Sequence, residues 1–463
     1  MRLKIIYLAF SILFLISNKI NAQSQSTFTL KEAQEFGLEN NHDIRNSKTD
    51  IEIAKKQVKE TITIGLPQIN ASISSTNYID IPTTLMPDFI SPAVFAVNEN
   101  YFGLTPTQNP GEMTFFPVSF GTEFNASADI SVNQLIFSGD YIVALKSANT
   151  YLQTTKLQNK KTEIDLKESI AKAYFIVLAT EKNSKILKET LEELKKMLYE
   201  TNEMYKAGFV EDTDVVQLEL MVSDLETSLL TVEKQLDIAY TFLKFNMGFD
   251  LNSEIVLSED LNSLVSKAES DLFVKTGFEI NKNIDFKIFQ SQKELAYKEL
   301  LLEKSAYLPT ISAFFKASTN AMRSEFDFFD TKKEWYPSTI WGVQMQVPIF
   351  SSGKRKYRVQ KAKLKLKKTN EFQAKIKEGL QVEEKQSRAD LNNAFLVYKN
   401  KIKSQKNAKK IFKKTEFKYL EGMVSSMELL QSHNQYLSSE GNYIKAVLDL
   451  LNAKQKMIKL FEK

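Results

Sequence analysis

One short stretch occurs twice, and the repetition sets the plan of everything between. Residues 204 to 220 read MYKAGFVEDTDVVQLEL and residues 418 to 434 read KYLEGMVSSMELLQSHN, so Tyr205 answers Tyr419, Gly208 answers Gly422 and Val210 answers Val424. Each lone Gly stands between two long apolar-periodic runs, where it reads as the left-handed residue that closes one helix before the next begins. Both stretches are therefore predicted to be tips of helical hairpins, with Gly208, Phe209, Val210, Gly422, Met423 and Val424 at the turns. One such turn is ordinary in any bundle. Two of them, 214 residues apart and matched by other landmarks, imply a duplicated unit rather than a solenoid.

The landmarks fix the boundaries. Asn41-His42-Asp43 returns as Asn283-Ile284-Asp285, and Leu66-Pro67-Gln68-Ile69 as Leu308-Pro309-Thr310-Ile311, both at an interval of 242. Ile136-Phe137-Ser138-Gly139 returns as Ile349-Phe350-Ser351-Ser352-Gly353 at an interval of about 213, so the loop between the strands is longer by some 29 residues in the first copy. This divides the chain into a first unit at 23–250, a connector at 251–277 and a second unit at 278–463. Alternating apolar and small polar residues predict strands at about 66–78, 120–137, 308–320 and 338–350. The aromatic, Pro-containing loop at 79–119 reads as functional or capping, or as a disordered insertion.

Helical runs fill most of the remainder. Residues 140–207 contain no internal Pro or Gly, which as a helix is roughly 100 Å long. Leu187, Leu191, Leu194, Leu198, Thr201 and Tyr205 step by four and three, and Leu218, Val222, Leu225, Leu229, Val232 and Leu236 continue the stepping beyond the tip. That is the pattern of an antiparallel coiled coil over about 140–247, with a second such hairpin over about 354–461.

Composition removes several kinds of chemistry. The chain has no Cys, two His and a formal charge of +4, which leaves no disulfide, no thiolate site and no strongly basic surface for nucleic acid. His42 and His433 lack a second ligand at metal spacing and are expected on the surface, so neither a metal nor another cofactor is expected. The basic run Lys354, Arg355, Lys356, Arg358, Lys361, Lys363, Lys365, Lys367 and Lys368 reads either as a contact for lipid phosphates or as a solvated helix face. Residues 1–22 read as an export signal, with basic residues, an apolar core from Ile5 to Ser17 and small residues before about Gln23.

Four strands of this length, apolar on one face and polar on the other, suit either a soluble sandwich or a tilted crossing of a bilayer. Four strands cannot enclose a watery lumen, and an open edge is not tolerated in lipid, so the membrane reading requires several chains to pool their strands. The export signal and the long helices favour that reading over the rival, a soluble periplasmic coiled-coil scaffold or adhesin.

The order of elements, with Leu-Pro before the strands, Phe-Ser-Gly after them and Gly-Phe-Val-Glu-Asp-Thr-Asp-Val at a tip, resembles the TolC family of outer membrane efflux proteins. The resemblance implies a mainly α fold with a transmembrane β-barrel portion: a homotrimer with four strands per chain in a twelve-stranded barrel, continued by a periplasmic α-barrel. It implies a passive exit duct in the outer membrane and its lipid, joined at its tips to a periplasmic adaptor and an inner-membrane pump, and not an enzyme. It carries a periplasmic gate onto Thr213, Asp214 and Tyr419, with Tyr419 donating to Asp214, and an acidic pore position onto Glu428. Val424 and Gln431 stand where members of the family carry a basic and a second acidic residue. Read without the family, Asp214 is a helix N-terminal acid and Tyr419 a coiled-coil filler.

Overall fold

The computed structural model describes residues 26–88, 94, 101–103, 115–270 and 277–462. The export signal and the middle of the 79–119 loop lie outside the described residues. In chain order the elements are β1 (Ser26–Phe28), α1 (Leu30–Asn40), α2 (His42–Thr63), β2 (Gln68–Asn77), β3 (Thr83–Pro87), β4 (Phe115–Ser119), β5 (Phe124–Ser138), α3 (Gly139–Lys206) and α4 (Asp212–Met247). They continue as β6 (Ile255–Leu257), α5 (Leu261–Ser270), a short 3-10 turn (Ile280–Lys282), α6 (Ile284–Ser305), β7 (Thr310–Arg323), β8 (Tyr336–Gln346), α7 (Lys354–Leu420) and α8 (Ser426–Phe461).

The chain forms two compact units, and each sequence repeat contributes to both. One unit holds the residues up to 55 together with 150–296 and those from 365 on; the other holds 56–149 and 297–364. The second is built on a four-stranded antiparallel sheet in the order β2-β5-β7-β8. Residues directly opposite in an antiparallel pair share a face. Ile69 pairs with Val132, Val132 with Phe315 and Phe315 with Trp341, which makes one apolar row across the sheet. Ser72, Asp129, Ser318 and Ser338 form a polar row on the other face. A bulge between Leu135 and Phe137 precedes α3. The last strand stops at Gln346, so Val347 and Ile349 lie beyond it. Inside the long first loop, β3 and β4 add a separate two-stranded ribbon.

In the first unit the repeated Asn residues are joints between helices. The Asn41 side-chain oxygen accepts from the backbone N–H of Asp43 at 2.8 Å, capping α2, while its amide donates to the carbonyl of Asn246 near the end of α4. Asn283 does the same for α6, accepting from Asp285 at 3.0 Å and donating to Leu460 of α8. Each pair of shorter helices is thus linked end to end beside its long neighbour. Between these joints lies the larger core, where Ala33, Ile170, Tyr174, Val177, Leu243, Met247, Val447 and Leu450 are buried together. Strand β1 enters that core by parallel pairing with β6, and the Tyr174 hydroxyl donates to the Phe28 carbonyl at 3.0 Å. The connector between the repeats carries a strand and a helix, β6 and α5.

Candidate functional site

The hairpin tips repeat in atomic detail. At the first, the Gly208 N–H donates to Tyr205 at 2.9 Å and the Phe209 N–H reaches back to Met204 at 2.9 Å. At the second, Gly422 donates to Tyr419 at 2.9 Å and Met423 to Lys418 at 2.8 Å. This double bond pattern closes a helix only when the residue at its centre is left-handed, and Gly208 and Gly422 have φ of +81° and +69°. The residues after the turn, Phe209 and Met423, are 81% and 68% exposed, so each tip presents an apolar side chain to solvent.

The following helices start differently. Ser425 caps α8, its hydroxyl accepting from the Glu428 N–H at 3.3 Å, whereas Glu211 at the start of α4 forms no side-chain cap. The Thr213 hydroxyl instead donates to the Glu211 carboxylate at 3.2 Å, and the Asp214 N–H donates to the Glu211 carbonyl at 3.1 Å. Asp214 and Glu428 both lie in a first helical turn, where the helix dipole favours an acid. Asp214 is half-buried; Glu428 and Thr213 are exposed.

Tyr419 is 8% exposed, and its hydroxyl lies 3.4 Å from that of Thr201 on α3. The hydrogen bond expected to Asp214 is thus replaced in this chain by one to Thr201, a residue that sequence periodicity marks only as a core position. Burial pushes the Tyr419 phenol above its ordinary pKa; the Thr201 bond opposes the rise, and the Asp214 carboxylate adds to it. Its sequence counterpart Tyr205 is 43% exposed, so duplication of the tip does not extend to this side chain.

Above the tips the two hairpins share one core, in which Leu187, Leu191 and Leu194 of α3 and Leu218 and Val222 of α4 pack with Phe412, Tyr419, Leu429 and Tyr436. His433 belongs to this layer, contrary to the surface position expected for it. It is 3% exposed, with its ring 5.4 Å from that of Phe412, and neither ring nitrogen has a hydrogen-bond partner. Burial lowers its pKa to about 4. Position 433 follows Leu429 and precedes Tyr436 at coiled-coil spacing, and that stepping was the signal available for its burial. His42 is exposed, as expected.

In the strand unit the apolar row faces outward: Ile69, Ile73, Ile130, Trp341 and Val343 are between 52% and 86% exposed. No described helix is long and apolar enough to cross a membrane. At the start of α7, Arg355 donates to the Pro348 carbonyl at 2.6 Å and Arg358 pairs with Glu303 at 2.7 Å, so two residues of the basic run are engaged within the chain. Among the described residues no group of three His, Cys, Asp or Glu could hold a metal.

The family model for outer membrane efflux proteins matches residues 281–461, which take in α6, β7, β8 and both helices of the second hairpin. Outer membrane protein TolC of Vibrio cholerae is 22% identical over 239 residues, 49% of this chain and 51% of that protein, so the match spans about half the length of the curated relative. Among solved structures, CusC is similar with a TM-score of 0.71 at 15% identity, covering 96% of each chain. The CmeC outer membrane channel of Campylobacter jejuni gives 0.68 at 16% identity, over 93% of this chain and 85% of that one. VceC of Vibrio cholerae, an outer membrane protein, gives 0.66 at 12% identity, over 93% of this chain and 95% of that one. The fold of these solved structures therefore extends through both repeats.

Proposed function

We propose that this chain is the outer-membrane exit duct of an export assembly, a passive channel that lets cargo leave the periplasm. The observation that carries the reading is the sheet. It has one exposed apolar face, and among the described strands its two edges, β2 and β8, have no outer partner. In water such a face is a liability; in lipid it is what a spanning strand requires. An open edge in lipid would leave backbone groups unsatisfied at several kcal/mol each. Three copies, each bringing four strands, close the sheet into a twelve-stranded barrel, and their helical hairpins prolong the bore through the periplasm. The likeness to solved outer-membrane channels supports the same reading.

The tips form the gate. Thr213, Asp214 and Tyr419 hold the two hairpins together when the duct is shut, with Thr201 as the direct partner of the Tyr419 hydroxyl. Three exposed Glu428 side chains ring the constriction and favour cations. The exposed Phe209 and Met423, with Gly208, Val210, Gly422 and Val424, offer the contact for a periplasmic adaptor through which an inner-membrane pump drives export. Fractionation tests the location: the mature protein resists salt washing of membranes and enters solution only with detergent. Recovery in the periplasmic fraction without detergent would favour the soluble scaffold instead.

A further inference from the structure

Among the described residues, the four strands of the sheet hold three charged side chains, Asp129, Lys316 and Arg323. Arg323 is the last residue of β7 and is engaged in the turn beyond it, donating to the Glu334 carbonyl at 2.6 Å and pairing with Asp327 at 3.4 Å. Asp129 and Lys316 stand within their strands instead. Asp129 lies opposite Ser318 and Lys316 opposite Ser131, so the two are diagonal neighbours on one face of the sheet, the polar one. The Lys316 Nζ is 3.6 Å from one oxygen of the Asp129 carboxylate, and the Ser72 hydroxyl donates to the other at 2.7 Å. Strands β2, β5 and β7 thus meet in one small charged cluster.

The strand residues around the cluster on this face are neutral. Ser127 faces Ser74 with their hydroxyls 2.7 Å apart, and Asn133 faces Gln68. On a lipid-facing surface either charge would be costly, whereas a face turned to water accepts both. A carboxylate or an ammonium alone on such a wall acts on every passing ion within a Debye length, about 10 Å at 0.1 M salt. Side by side, the two charges oppose each other and their combined field falls away within a few times their separation. The Asp129 side chain is 18% exposed and that of Lys316 45%, so the carboxylate is fixed by Ser72 while the ammonium remains open to the water it faces. Asp129 is also the one acid that the described strands of the sheet contain, which leaves Lys316 no other carboxylate on that wall.

We infer that Asp129 and Lys316 form a charge-cancelling belt in the lumen of the barrel: three copies set three such pairs into its watery wall, so the barrel does not sort cargo by the sign of its charge. That sorting is left to Glu428, whose side chain is exposed at the start of α8. The two strand residues determine specificity through their balance. Removing either one leaves three uncancelled charges of a single sign on the wall, and a ring of like charges is what gives a pore its ion preference. The inference rests on the duct reading and adds the residues that keep its barrel indifferent to charge.

Reversal potentials of purified mature protein in a planar bilayer, under a tenfold gradient of potassium chloride, test the belt. Lys316→Gln uncovers the carboxylates and shifts the potential toward stronger cation preference. Asp129→Asn uncovers the ammoniums and shifts it the opposite way. The double substitution returns it to the parental value, because the wall is neutral again. Both single shifts are largest near 0.1 M salt and fade toward 1 M, where the Debye length is about 3 Å. Each single variant is a sufficient test, so one that fails to accumulate leaves the other to decide. A pair that serves only to hold the strands together would alter the yield of protein and not the potential. Parental channels that conduct while the single variants keep the parental potential, or shift it in the same direction, would overturn the belt and leave the duct standing. Parental protein that conducts no ions would remove the duct reading itself, and the belt with it.

Discussion

His433 shows how much a single side chain constrains this molecule. An imidazole enclosed by Phe412 and its neighbours, with both nitrogens unpaired, is stable only while neutral, and its pKa falls from 6.5 to about 4. The unfolded chain takes up the proton at about 6.5 and the folded chain only at about 4, so the site is most favourable above 6.5 and loses stability as pH drops through that window. The loss is on the order of 3 kcal/mol per chain. Thermal melts between pH 7 and pH 4 check it: His433→Leu flattens the acid dependence, and an unchanged dependence would assign the lability to other groups. Glu428 poses a simpler question at the same scale. If three copies line the constriction, Glu428→Gln weakens the cation preference of the channel, read as a shift in reversal potential under a salt gradient; an unshifted potential would take Glu428 out of the pore.

Among the elements, the strands bear the greatest consequence. Ile130 and Ser131 are neighbours in β5 that project to opposite faces, Ile130 to the face of the apolar row and Ser131 to the face of the polar one. A Lys in place of Ile130 costs about 2 to 4 kcal/mol near the bilayer midplane, whereas one in place of Ser131 faces water. The membrane-extracted yield of Ile130→Lys therefore falls well below that of Ser131→Lys; equal yields would mean that this face does not meet lipid. Alternation made these strands legible in the sequence, and the lone Gly residues made the tips legible. Other features were not. Strands β1 and β6 have three residues each, too few to show a period, and are held by a pairing across more than two hundred residues. The repeat of Asn41 as Asn283 was visible, but its capping and bridging depend on where α4 and α8 end. The contact of Tyr419 with Thr201 could not be read, because Thr201 carries the same apolar-periodic position as its leucine neighbours.

For the molecule as a whole, duplication leaves a sheet that, among the described strands, has a free edge at each end. In the proposed duct further copies of the same chain complete that sheet, and completing it is what encloses water. The measurement that bears on this most directly is a planar-bilayer recording of purified mature protein whose mass in detergent has been determined. The account predicts a particle of three copies with discrete openings that prefer cations. A single-copy protein, soluble without detergent and silent in the bilayer, would contradict it.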